Sequence, residues 1–242
     1  MTIPIRRPIL VFEPMRHLTF AAPRSKASVL CVATCELTDG DRSRAMAAAA
    51  ALHLMNAAIF THEHLPVTDR SMPKPEVQRK FGPNVELLTG DGIMPFGLEL
   101  LARSMDQGQN DPDHILRVIL EITRAIGSQG MIGGLFRELE MDLSQANTGR
   151  VMDYVCKKKY GSFHACGAAC GAILGGGDEG EIQKLRKYGL YVGMIHGMLN
   201  GIGKNKEGLI EEKIEKLRIL ALKELEIFDR KKVELISSLC SE

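Results

Sequence analysis

Residues 44–69 read RAMAAAAALHLMNAAIFTHEHLPVTD, and this stretch decides the fold class. Residues 44–60 are alanine-rich with Leu and Met between, a composition of strong intrinsic helix propensity. Pro66 marks the turn that follows. His62-Glu63-His64, just before that turn, has the look of a metal cluster. Neighbouring residues on a helix point in different directions, however, so three ligands from one short run do not converge on one ion.

Outward from this stretch, helical periodicity recurs. Residues 29–37 are amphipathic and close on Thr38-Asp39-Gly40-Asp41, with Asp41 placed to cap the next helix. A Pro- and charge-rich connector covers 69–83. Two long helical patterns follow, 85–105 and 113–141, separated by the polar run 106–110, and Asp111-Pro112 is a start signal for the second. Gly127, Gly130, Gly133 and Gly134 punctuate its second half and imply a kink or a close backbone approach. Further helices are expected at 149–160, 161–174, 179–199, 209–228 and 230–239, with Gly175-Gly176-Gly177 as an interhelix turn. No strand-like alternation of useful length occurs. The expectation is one all-α domain over 1–242, with 1–15 an extended N-terminal arm.

The composition agrees. Tryptophan is absent, aromatics are 5 % and Met is abundant, which suits close-packed helices better than a β-sandwich. A net charge of +1 makes no electrostatic case for nucleic acid or a membrane surface as partner. No uninterrupted apolar run approaches the ~18 residues of a spanning helix, so no membrane span is expected. The basic, Pro-containing residues 1–15 lack the apolar core of a secretory signal and are too short for a whole organelle-targeting peptide.

Four of the six cysteines form two Cys-x-x-x-Cys pairs, Cys31/Cys35 and Cys166/Cys170. Residues i and i+4 share one helix face, so each pair makes a small, smooth, apolar patch among Ala and Gly. By residue type alone these are core thiols. Their spacing is not that of a zinc finger, and nothing nearby in sequence marks a redox switch.

Residues 59–69 resemble the first aspartate-rich motif of trans-prenyltransferases, whose plant form runs His-Asp-Asp-Leu-Pro-x-x-Asp. Here the paired aspartates are Glu63 and His64, and Asp69 is kept. From about Met15 to Leu239 the chain is similar to plant short-chain prenyl diphosphate synthases of the geranylgeranyl type. Leu88-Thr89-Gly90-Asp91, Arg124-Ala125-Ile126-Gly127-Ser128 and Gly171-Ala172-Ile173-Leu174-Gly175-Gly176-Gly177 fall in the family's order. The resemblance implies the all-α isoprenoid synthase fold, helices around a central cavity, and dimerisation through the two long middle helices. Active members join an allylic diphosphate to isopentenyl diphosphate, with Mg²⁺ held by carboxylates neutralising the departing pyrophosphate.

Those carboxylates are eroded. His64 offers an imidazole, a poor magnesium ligand. The arginine pair that normally follows Asp69 is reduced to Arg70. The second motif, Asp-Asp-x-x-Asp in active members, falls on His196 to Lys204, where Asn200, Gly201 and Lys204 leave no carboxylate. The isopentenyl site retains Arg24 but loses two arginines, and the glutamine of the central Gly-Gln element is Leu135. Arg24 and Lys159 remain as phosphate contacts of the old site. One lost electrostatic donor costs about 10²–10³ in rate, so independent turnover is not expected, and no catalytic or metal-binding residue is assigned.

The two cysteine motifs, with Phe20-Ala21-Ala22-Pro23 and residues 154–161, resemble the small subunits of heteromeric plant geranyl diphosphate synthases. That resemblance implies a non-catalytic regulatory subunit with Cys31, Cys35, Cys166 and Cys170 at the contact with a geranylgeranyl-diphosphate-synthase-like large subunit. The large subunit would carry the Mg²⁺. The complex would use dimethylallyl and isopentenyl diphosphates, be directed to the ten-carbon product for monoterpene synthesis, and reside in the plastid stroma after loss of a transit peptide. The alternatives are a weak prenyltransferase using Glu63 and Asp69, or a scaffold that binds prenyl diphosphates.

Overall fold

Asp41 and Asp111 each place a carboxylate 2.8 Å from the backbone N–H two residues on, and a helix starts after each. Those helices are α3 (Arg42–Glu63) and α5 (Pro112–Ile126), the latter with Pro112 in its first turn. The computed structural model describes residues 11–65, 80–107, 110–144, 149–200 and 210–240. Before α3 come α1 (Phe12–Ala21) and α2 (Lys26–Leu37), and between α3 and α5 lies α4 (Pro83–Arg103). Then come α6 (Met131–Ser144), α7 (Gly149–Val155), a π-helical stretch Cys156–Gly161, and α8 (Ser162–Gly175). The chain ends in α9 (Glu179–Asn200), α10 (Glu211–Glu224) and α11 (Arg230–Ser237). The described residues hold no strand, and the fold is the all-α one expected.

The centre is α8, buried without interruption from Phe163 to Leu174. A helix that is apolar on every side must be covered on every side, and two neighbours do this at very close range. Gly167, Gly171 and Gly175 recur every four residues and meet the Ala27, Cys31 and Cys35 backbone of α2, itself stepped by four. A Cβ on Gly171 would stand 2.7 Å from the Cys31 carbonyl carbon, with its oxygen closer still. A second neighbour, α9, meets α8 and the stretch before it through Gly189 and Gly193, which lie against His164, Ala165 and Ala168 and against Tyr160 and Gly161. Close approach lets Thr34 Oγ1 donate to Ala168 O at 2.8 Å, a hydrogen bond between α2 and α8. Gly176, in the left-handed region at φ 87°, ends α8 where a side chain would be strained.

Two expectations need correction. Residues 113–141 are not one helix: Gly127 N–H caps onto Thr123 O, Gly130 N–H returns to Gly127 O at 3.0 Å, and the chain restarts as α6. The arm 1–15 is not extended throughout, because Phe12 to Met15 open α1, whose Pro14 and Met15 are buried. Met131 and Met198 are in the core, while their neighbours Ile132 and Leu199 are 47 % and 37 % exposed.

Helix α3 is long and apolar enough to cross a membrane by length and composition, with mean hydropathy 1.2 over its best window, yet 61 % of that window is buried within the fold. Two of its polar residues have partners inside the chain. His53 Nε2 donates to Thr19 O at 3.1 Å and Asn56 Nδ2 to Pro23 O at 3.0 Å, fastening α1 and the link to α2.

Candidate functional site

The C-terminal turn of α3 sends the three residues of the eroded first motif to three destinations. His62 lies on Gly90 of α4, where a side chain would overlap its ring, and its Nε2 is 3.3 Å from Leu87 O and 3.4 Å from Asp91 Oδ1. His64 Nδ1 donates to Phe60 O at 2.7 Å, and its ring tilts over the Phe60 ring with centroids 4.1 Å apart. Glu63 turns inward. Its Oε1 is 2.7 Å from Lys159 Nζ, and the side chains of both are almost wholly buried. Asp69 lies outside the described residues.

Lys159 is the centre of this site. It sits in the π-helical stretch between α7 and α8, a distortion that inserts an extra residue per turn and often marks functional positions. Its ammonium also donates to Glu138 Oε2 of α6 at 2.8 Å and stands 5.2 Å from the Tyr160 ring centroid. Burial works against its charge. The carboxylate of Glu63, followed by Tyr160 and Glu138, outweighs burial and holds Lys159 above the ordinary lysine range. Lys159, expected from the sequence as a phosphate contact, is paired here with two carboxylates of its own chain. Arg24, its expected companion, is exposed in the turn before α2.

At the second motif, α9 carries His196 and Asn200, and Asn200 Nδ2 donates to His196 Nδ1 at 3.3 Å. The His196 ring is 5.5 Å from that of His164 on α8 and 6.0 Å from that of Tyr160. His164 Nδ1 donates to Tyr160 O at 2.8 Å. Burial first, then His196 and Lys26, push the His164 pKa down to about 3, and burial also lowers that of His196. Both rings are neutral near pH 7. Gly201 and Lys204 lie outside the described residues.

Magnesium needs several oxygen ligands in near-octahedral array. Among the described residues, the first motif offers one carboxylate already paired with an ammonium, and the second offers an imidazole and an amide. No three His, Cys, Asp or Glu side chains among the described residues are grouped to hold a metal. This donor set does not fit Mg²⁺.

The cysteine pairs are not where the sequence reading put them. Cys31, Cys35, Cys166 and Cys170 are each 0–2 % exposed, and the helix that approaches each pair belongs to the same chain: α2 packs on α8. Cys166 and Cys170 sulfurs are 3.7 Å apart inside that contact. The four thiols cannot touch a partner in this conformation. The smooth patch inferred from Ala, Gly and Cys is real, but it is used internally.

What does face outward is an apolar surface on the middle helices. Leu88 of α4 is 68 % exposed, Leu116 and Leu120 of α5 57 % and 45 %, and Ile132 and Phe136 of α6 47 % and 64 %. The α5 and α6 pairs are each spaced by four, so each lies on one helix face. Sequence reasoning missed Glu138 and the internal role of the glycine ladders. The signals were present: glycines at 167, 171 and 175 and at 189, 193 and 197, and Glu138 one turn beyond Gly134.

No protein-family model matches the chain. The "heterodimeric geranylgeranyl pyrophosphate synthase small subunit 2, chloroplastic" of Cannabis sativa is 50 % identical over 243 residues, spanning 98 % of this chain and 84 % of the relative. Among solved structures, the geranyl diphosphate synthase small subunit from Antirrhinum majus superposes with a TM-score of 0.89 at 61 % identity, covering 99 % of this chain and 91 % of that one. A chain of a mint heterotetrameric geranyl pyrophosphate synthase in complex with ligands gives 0.86 at 57 % identity, covering 99 % and 92 %.

Proposed function

The chain belongs to the small-subunit family of heteromeric geranyl and geranylgeranyl diphosphate synthases, and from that premise we propose that it is the non-catalytic regulatory partner of a catalytic large subunit. One observation supports the non-catalytic part: Glu63, the described carboxylate of the first motif, is bound by Lys159 instead of standing open to a metal. Ionising an allylic diphosphate requires the departing charge to be neutralised. In this chain the cation and the anion of the old site neutralise each other.

The large subunit then supplies both aspartate motifs and the Mg²⁺. It docks on the apolar surface of Leu88, Leu116, Leu120, Ile132 and Phe136, so that this chain takes the place of one protomer in a pair of like folds. The complex condenses dimethylallyl diphosphate with isopentenyl diphosphate, and pairing directs it toward the ten-carbon product geranyl diphosphate for monoterpene synthesis. The two structures named for geranyl diphosphate synthesis are more identical to this chain, at 61 % and 57 %, than the relative named for the twenty-carbon activity, at 50 %. Such direction requires this chain to bind the large subunit's product-releasing or shallow-cavity state more tightly than its competitor. The "chloroplastic" naming of the relative supports residence in the plastid, and we place the mature protein in the stroma after removal of a transit peptide.

The test is a product assay with dimethylallyl diphosphate, isopentenyl diphosphate and Mg²⁺, using this chain alone, the large subunit alone, and the co-purified pair. Silence from this chain and a shift to the ten-carbon product in the pair is the expected result. Turnover by this chain alone, abolished in Glu63→Ala, would overturn it in favour of a weak prenyltransferase.

A further inference from the structure

Helix α6 is an unusual place for a docking face, because little apolar burial holds it. Of residues 131–140, only Met131 and Gly134 are buried, while Ile132 and Phe136 point to solvent. Two consecutive lysines of the π-helical stretch take up the task. Lys158 Nζ donates to Gln129 O at 2.6 Å and so captures the turn that launches α6. Gly134 lets the α6 backbone come down onto the same stretch, where a Cβ would be 2.7 Å from Lys159 N. One turn further on, Glu138 reaches Lys159 Nζ. The same ammonium is tied to α3 through Glu63, so α3, the π-helical stretch and α6 meet at one buried cation.

We propose that the Glu63–Lys159–Glu138 cluster is an internal clamp that fixes the pose of α6, with Lys159 and Glu138 acting as positioning residues for the large-subunit contact made by Ile132 and Phe136. The docking half of this proposal rests on the function read above. The clamp half does not. The physical basis is that a buried ammonium with two carboxylates is strongly directional, and removal of one partner leaves a buried charge uncompensated. The clamp is also asymmetric. Glu138 ties α6, whereas Glu63 ties α3 and leaves the α6 tie intact when it is lost.

The experiment compares Glu138→Gln, Glu63→Gln and Lys159→Met in the full chain. Backbone hydrogen exchange is followed over 131–144 without partner, and affinity is then measured for the large subunit. Glu63→Gln matches Glu138→Gln in chemistry, so it controls for general destabilisation. The expected result is faster exchange in α6 and about tenfold weaker binding for Glu138→Gln and Lys159→Met, the scale of one lost charge-assisted hydrogen bond. Glu63→Gln should keep α6 exchange and affinity at wild-type levels. Unchanged α6 exchange in Glu138→Gln, or equal loosening by both glutamine variants, would overturn the clamp. A wild-type chain that ignores the large subunit would overturn the docking half together with the function reading. Exchange in the isolated chain tells those two failures apart.

Discussion

Replacing Gly171 by Ala adds one methyl group where the α2 and α8 backbones leave no room for it. The new Cβ would lie 2.7 Å from the Cys31 carbonyl carbon and closer to its oxygen, against about 3.5–4.0 Å for a relaxed carbon–carbon contact. Because the obstacle is backbone, no rotamer change relieves it, and α2 must retreat from α8 by about 1 Å. A gap of that size forfeits about a quarter to a half of each contact's well depth, and Leu30, Cys31, Cys35, Cys166 and Cys170 all lie in or beside the seam. Overpacking of this kind costs about 1–3 kcal/mol, and the backbone clash puts Gly171→Ala at about 3. For a chain of this length that lowers Tm by about 6–12 °C. Two other glycines calibrate the assay. Gly92 lies in α4 with nothing within 4 Å of a Cβ, so Gly92→Ala should stabilise by about 0.5–1 kcal/mol through helix propensity. Gly176 also has open space but a φ of 87°, so Gly176→Ala should cost about 1–2 kcal/mol from backbone strain alone. Urea unfolding of the isolated chain measures all three. Gly171→Ala melting with the wild type would refute the α2–α8 packing, whatever the other two do.

The double variants Cys31→Ser/Cys35→Ser and Cys166→Ser/Cys170→Ser should each destabilise the isolated chain by about 1–3 kcal/mol per unpartnered buried hydroxyl. Affinity for the large subunit, measured at equal folded concentration, should hold; lost affinity with unchanged stability would return the cysteines to the interface. His164 makes stability pH-dependent. Its unfolded pKa is the ordinary 6.5 and its folded value about 3, so between these values the unfolded chain binds the extra proton. The contribution is full above 6.5 and is lost as pH falls, by at most about 1.4 kcal/mol per unit. His164→Gln should flatten that part of the slope in urea melts between about pH 7 and about pH 5, and an unaltered slope would contradict the buried neutral imidazole. Phe136→Asp and Leu116→Asp, at exposed positions, should change the isolated chain's stability by no more than about 0.5 kcal/mol yet abolish co-purification with the large subunit. Retained co-purification would exclude the α5–α6 face as the contact.

Helix starts were readable because their signals are local: Asp41 and Asp111 cap amides only two residues away. The residue types at 62–64, 196 and 200 were readable for the same reason, since a side chain's identity is the same in any fold. The break at Gly127–Gly130 was marked by its glycines, but whether they meant a kink or a close approach was open. The structure uses them for both: a turn at Gly127–Gly130 and backbone contact at Gly134. The cysteine motifs were read with the right texture and the wrong neighbour. An i, i+4 patch of small residues states that something comes close, not what.

By itself the sequence determined the all-α class and the family, because helix propensity, capping and motif order are written within a few residues of one another. Tertiary structure alone decided that α2 is the helix against α8, across 134 residues of chain at Thr34 and Ala168. It alone brought Glu63, Glu138 and Lys159 to one buried point from three separate elements. Pairings of that kind are fixed by which small residues let two backbones approach and by the cost of leaving a buried charge unmatched, and neither is set until the helices have packed.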